Sequence, residues 1–141
     1  MNRHHHDHWQ LHPQLADDTH PVAHWPLSEL RLMDDANHPW LILVPRVPDA
    51  VELVDLGPPQ QAELMREMDR ASRLLQKAFK PDKLNVAALG NLVPQLHVHL
   101  IARYHHDIAW PKPVWGTATA RPYAPEALVQ RIELLRAALG A

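Results

Sequence analysis

The longest regular pattern in the chain lies at residues 57–79, GPPQQAELMREMDRASRLLQKAF. Leu64, Met68, Ala71, Leu75 and Phe79 recur there at three- and four-residue spacing, the helical period, which predicts an amphipathic helix. Pro58 and Pro59 suit its entrance, and Pro81 lies just past its end. Glu63 and Glu67 precede Lys and Arg partners and are assigned to its solvated face. The same period returns at 125–139, PEALVQRIELLRAAL, with Leu128, Ile132 and Leu135 as the stripe. Other segments alternate or run apolar. SELRLMDD, residues 28–35, places Leu30 and Leu32 on one face. WLILVPR, residues 40–46, is nearly continuous and is stopped by Pro45 and Pro48. ANHP turns between them, so the two read as a hairpin. DKLNVAALG (82–90) and HVHLIARY (97–104) are two more strands, with Gly90 permitting a turn or a close backbone approach.

Two segments lack a period. Residues 9–26 carry Pro13, Pro21 and Pro26 and read as an irregular arm that docks on the domain. The stretch DIAWPKPVWGTATARPYAP, residues 107–125, suits a rim better than a sheet centre. The expected fold class is α+β: an antiparallel sheet of short, mostly hairpin-linked strands, backed by the long helix, with a C-terminal helix. Residues 1–24 are set apart as the arm and 25–141 as one domain.

Composition narrows the function classes. A chain of 141 residues, 46% apolar, supports one core. Net charge is -2 with no basic block, so nucleic acid is not an expected partner. The absence of cysteine excludes disulfides, thiolate nucleophiles and cysteine zinc sites. No apolar run approaches the roughly 18 to 20 residues of a membrane span, and no signal-peptide region opens the chain, so no membrane and a cytoplasmic location are the expectation. MNRHHHDH holds four of the twelve histidines and reads as a tag remnant or a weak adventitious metal binder, without a catalytic role.

The chemistry concentrates in QLHVHLI, residues 95–101. On a strand, Leu96, Val98 and Leu100 share one face, and Gln95, His97 and His99 share the other. Two strand rises separate the histidine α-carbons by about 7 Å, enough to span a phosphoryl group or a metal. Imidazole is a competent nucleophile near neutral pH, and a second imidazole can donate to a phosphoryl oxygen as charge develops. Gln95 offers a donor and an acceptor. No acidic residue lies in 84–106, which weighs against a carboxylate magnesium site built locally. Backbone amides around Gly90 and Asn91 would complete an oxyanion cradle. From the residues alone, three readings stay open: structural histidines, metal ligation and metal-free catalysis.

NLVPQLHVHLIAR resembles the signature of the histidine triad (HIT) nucleotide hydrolases and transferases, three alternating histidines separated by apolar residues. The middle histidine falls on His97 and the last on His99, while Gln95 replaces the first, which in the family belongs to the polar relay that orients the middle one; the resemblance therefore implies that Gln95 acts with His97 and His99 as a catalytic residue. RLMDDANHPWLILVPR is similar to the family's ribose-side hairpin, and KLNVAALGN to the strand and phosphate turn before the triad. The resemblance covers roughly residues 25–116. It implies the α+β histidine triad fold, a homodimer with a sheet continued across two subunits, and small-molecule nucleotide substrates. These would be phosphoramidates, adenylylated amines or dinucleoside polyphosphates. It implies that His97 attacks the α-phosphorus to form a nucleotidyl-histidine that water hydrolyses, and that His99 holds phosphoryl oxygens. No cofactor is required, although polyphosphate substrates can arrive carrying Mg²⁺. Asp34, with Asp35 as competitor, matches the ribose position, and Asn85, Gly90 and Asn91 match the phosphate turn. Leu32, Met33 and Leu43 are candidates for the base pocket or plain core. Trp110 and Trp115, flanking Lys112, suggest a rim near the site, and Trp110 is taken as a substrate contact. Arg103 either faces phosphate or pairs at the surface, and His105 and His106 are not assigned as ligands. The rivals are a metal-dependent hydrolase or oxygenase built on His97 and His99, and a nucleotide-binding protein with little turnover.

Overall fold

The computed structural model describes residues 8–140; the histidine-rich start, residues 1–7, lies outside them. A short helix α1 (Pro13–Asp18) leads into β1 (Thr19–His24), followed by β2 (Ser28–Met33) and β3 (Trp40–Pro45). A single helical turn at Leu53–Asp55 precedes the long α2 (Pro58–Phe79); β4 (Lys83–Ala87), β5 (Val98–Arg103) and α3 (Pro125–Gly140) complete the chain. The five strands form one antiparallel sheet in the order β1-β2-β3-β5-β4. The predicted α+β fold, hairpin, long helix and C-terminal helix are all present.

The near-continuous apolar run of β3 is explained by its central position: all six residues are buried, because both faces of the sheet are covered. Leu41, Leu43, Leu30, Leu32, Val98, Leu100 and Ala102 face one core with Leu64, Ala71 and Leu75 of α2 and Leu135 of α3. Ile42, Val44, Trp40 and Ile101 face the other side, against Leu15 and Val114. Among the described residues no long helix covers this second side, and the candidate site lies there.

The structure differs from the sequence expectation in three places. First, the arm is not irregular over residues 13–24: it forms α1 and the edge strand β1. Pro21 obscured the strand, yet an edge tolerates it, and the register shifts between Pro21 and Ala23. Second, Glu67 is not on the solvated face of α2. It is 3% exposed, and its carboxylate accepts the Leu27 backbone N–H at 2.8 Å. Third, β5 begins at Val98, so the strand alternation does not extend back to Gln95.

Candidate active site

Antiparallel pairing puts His99 opposite Ile42 and Ile101 opposite Trp40. Trp40 and His99 are therefore diagonal neighbours on the open side of the sheet. The Trp40 indole Nε1–H donates to His99 Nδ1 at 3.1 Å. An indole N–H only donates, so His99 Nδ1 carries the lone pair and Nε2 carries the proton. Burial, and then the neighbouring His97, lower the His99 pKa from 6.5 to about 3. His99 is thus a neutral imidazole with a donor at Nε2.

His97 stands just before the strand and is held differently. Its Nδ1 lies 2.7 Å from the backbone carbonyl oxygen of Gln95. A carbonyl only accepts, so Nδ1 holds a proton, and in the neutral ring Nε2 keeps its lone pair. The two rings meet edge to face, centroids 4.9 Å apart. Both histidines are nearly buried, at 6% and 5% exposed, yet both line a cleft of ≈ 830 Å³, within the usual range for small-molecule sites. One nucleophilic nitrogen and one hydrogen-bond donor thus meet in one cavity.

The turn Gly90–Val93 forms another part of the cleft lining. Gly90 has φ +75, a left-handed backbone that favours glycine. Trp40, Trp115, Val114, Met33 and Leu15 supply apolar wall, and Asp17, Asp18, Asp34 and Asp35 supply carboxylates. The Trp115 ring lies 5.0 Å from that of His99 and 5.7 Å from that of Trp40. Asp34 accepts the Tyr123 N–H at 2.9 Å and Asp35 the Arg121 N–H at 3.2 Å, so the segment before α3 is tied to this wall. Among the described residues no group of three or more His, Cys, Asp or Glu is placed to hold a metal ion.

Of the residues proposed from sequence, the cleft brings together His97, His99, Asp34, Gly90 and Asn91. Three others are elsewhere. The Asn85 side-chain oxygen accepts from the Arg103 guanidinium at 2.8 Å. The Trp110 ring packs on His105, centroids 4.8 Å apart, and against Arg103. The Gln95 amide bonds backbone groups of Gln10 and His12, so only the Gln95 carbonyl addresses His97. Leu32 and Leu43 are core, whereas Met33 does line the cleft. Arg103 neither faces the cleft nor pairs at the surface; it is buried against Asp107. Sequence reasoning missed Trp40, Leu15, Asp17 and Asp18 as site residues. Strand register could have found Trp40, since the hairpin and β5 were both legible.

Comparison with known proteins agrees with this fold. A model of the HIT domain matches residues 14–106. Among solved structures, a histidine triad protein from Bradyrhizobium japonicum is 52% identical, with TM-score 0.90, covering 93% of this chain and 98% of that one. One from Marinobacter aquaeolei VT8 is 45% identical, with TM-score 0.90 and coverages of 94% and 96%. One from Sinorhizobium meliloti 1021 is 41% identical, with TM-score 0.87 and coverages of 90% and 94%. No curated protein matches.

Proposed function

This chain belongs to the HIT domain family of nucleotide-binding hydrolases and transferases, and on that premise we propose that it cleaves at the α-phosphorus of a nucleoside phosphoramidate, an adenylylated compound or a dinucleoside polyphosphate. The observation that carries the reading is the complementary pair of imidazoles: His97 with Nδ1 committed to a carbonyl, and His99 with Nδ1 committed to an indole.

In the proposed reaction the His97 Nε2 lone pair forms a bond to the α-phosphorus, and the bond to the leaving group breaks. A leaving amine takes its proton from solvent. The nucleotidyl-imidazole is cationic while Nδ1 keeps its proton, and the Gln95 carbonyl stabilises that charge. His99 Nε2–H donates to a phosphoryl oxygen throughout; with its pKa near 3 it acts as a hydrogen-bond donor and not as an acid. Water then attacks phosphorus, the phosphorus–nitrogen bond breaks, a proton passes to solvent, and the nucleoside monophosphate leaves. Asp34 meets the ribose hydroxyls, and the Gly90–Asn91 amides cradle phosphate. No metal acts in the step at His97, and Mg²⁺ enters only with polyphosphate substrates.

We further propose a cytoplasmic homodimer. β4 is an edge strand with Val86 45% exposed, and beyond it Leu92 is 95% exposed, so an open edge and apolar side chains are available together. Light scattering would give the mass of two chains; a monomer at micromolar concentration would refute the pairing. No helix among the described residues is long and apolar enough to cross a membrane.

The test of the reaction is AMP release from an adenosine phosphoramidate by EDTA-treated protein. Turnover that survives chelation and disappears in His97→Ala supports the proposal. Turnover restored only by added metal refutes the metal-free step. AMP binding without turnover would make the chain a nucleotide-binding protein.

A further inference from the structure

Gln95 stands where the triad signature has its first histidine, and its side chain turns away from the other two. Its Nε2–H donates to the Gln10 carbonyl at 2.8 Å, and its Oε1 accepts the His12 N–H at 2.8 Å. One primary amide thereby grips two backbone groups of a segment more than eighty residues away. His12 is in turn the cap of α1: its Nδ1 accepts the Gln14 N–H at 3.0 Å and its carbonyl accepts the Ala16 N–H at 3.0 Å. α1 carries Leu15, 3% exposed, into the core beside Trp40 and Val114, and Leu15, Asp17 and Asp18 line the cleft.

We infer that Gln95 is a positioning residue, a two-point clip whose side chain fastens residues 10–12 and through them the α1 wall of the cleft, while its carbonyl orients His97. The chemistry selects glutamine. A carboxylate has acceptors only and would face the Gln10 carbonyl without a proton to offer. An imidazole places its donor and acceptor on diverging ring edges. An alanine makes neither bond. The departure from the triad then has a structural purpose that needs no proton relay: His97 is oriented through the backbone, which any residue at 95 supplies.

The kinetic part of the test rests on the proposed reaction, and the exchange part does not. Gln95→Ala, Gln95→Glu, His12→Pro and the double variant Gln95→Ala/His12→Pro would be compared, with His12→Ala as control for the cap. His12→Pro removes the N–H that Gln95 receives, and the φ of -57 at His12 accommodates proline. Readouts are kcat and KM for an adenosine phosphoramidate across pH, and amide exchange over residues 9–18.

The clip predicts that Gln95→Ala raises KM roughly tenfold, the scale of one or two lost hydrogen bonds. It predicts kcat within about twofold and an unchanged pH profile, because the carbonyl contact persists. Exchange over residues 9–18 should accelerate, Gln95→Glu should resemble alanine, and the double variant, once the cap loss read from His12→Ala is subtracted, should fall short of the sum of the two single effects, because both variants break the His12–Gln95 bond. A fall in kcat with a shifted pH profile and unchanged exchange would overturn the inference in favour of a proton relay. Additive losses would overturn it too. If the wild-type protein shows no turnover, the proposed reaction fails, and exchange alone decides the clip: unchanged protection in Gln95→Ala refutes it.

Discussion

Polar side chains are buried at both ends of β5, His97 standing just before it, and the two ends treat them differently. At the C-terminal end Arg103 is 1% exposed. Its guanidinium donates to both Asp107 carboxylate oxygens at 2.8 and 3.1 Å, to Asn85 at 2.8 Å and to the Lys112 carbonyl at 2.8 Å. Asp107 accepts further from the backbone N–H groups of Tyr104, Ala109 and Trp110. Burial alone would raise the Asp107 pKa, but the Arg103 bond and the Tyr104 and Ala109 amides hold it well below the usual carboxylate range. At the other end His97 and His99 are nearly as buried, yet among the described residues only Nδ1 of each is engaged. Saturated polar burial fixes a loop to a strand. Half-satisfied polar burial, opening on a cleft, leaves directional groups for a ligand.

The largest expected effect falls at the reactive end. His97→Ala should lower kcat/KM by roughly 10⁴-fold or more while the protein melts cooperatively near the wild-type temperature. Arg103→Met should do the reverse: lose about 3–5 kcal/mol of stability by leaving Asp107 buried without its partner, with near-normal turnover of the folded fraction, as read by urea unfolding and kinetics together. If Arg103→Met instead abolished turnover at full stability, the division between the ends would collapse.

Trp40→Phe sharpens the comparison. It keeps an aromatic ring over β5 but removes the donor that sets the His99 tautomer, and should lower kcat by roughly 10- to 100-fold. Full activity in this variant would show that the tautomer is fixed otherwise. His99 also links stability to pH. Its folded pKa, about 3, lies below the value of 6.5 expected when unfolded, so its contribution is complete above pH 6.5 and is lost as pH falls towards 3. Melting temperature should decline through that window, by at most about 1.4 kcal/mol of stability per pH unit from this group, with a shallower slope in His99→Gln. Asn85→Ala should show the smallest change, about 1 kcal/mol of stability with KM unchanged, since the Asn85 side chain accepts from Arg103 and does not line the cleft.

The same contrast explains what could be read from the sequence. β2, β3, β5, α2 and α3 were legible because their apolar periods answer to one large core. His97 and His99 were legible as a pair because two nearby histidines in a buried strand demand a reason. β1 was not, since an edge strand interrupted by Pro21 has no clean alternation. Gln95 does not share the face of His99, because the strand alternation expected over residues 95–101 begins only at Val98 and the chain at Gln95 is still a loop. Asn85 and Trp110 were drawn to the site by family position and by composition. Their true partner is Arg103, whose burial depends on Asp107, four residues further on, a contact no period announces. Trp115, not Trp110, reaches His99, because loops carry no register from which to choose between them.

The most direct test of the account is the site of the covalent bond. EDTA-treated protein would be quenched during turnover of an adenosine phosphoramidate, and the adduct mapped by intact mass, peptide sequencing and phosphorus NMR. The account predicts one nucleotidyl group on His97, attached through Nε2, because Nδ1 is committed to the Gln95 carbonyl. Attachment through Nδ1, attachment to His99, or turnover with no adduct under single-turnover trapping would contradict it.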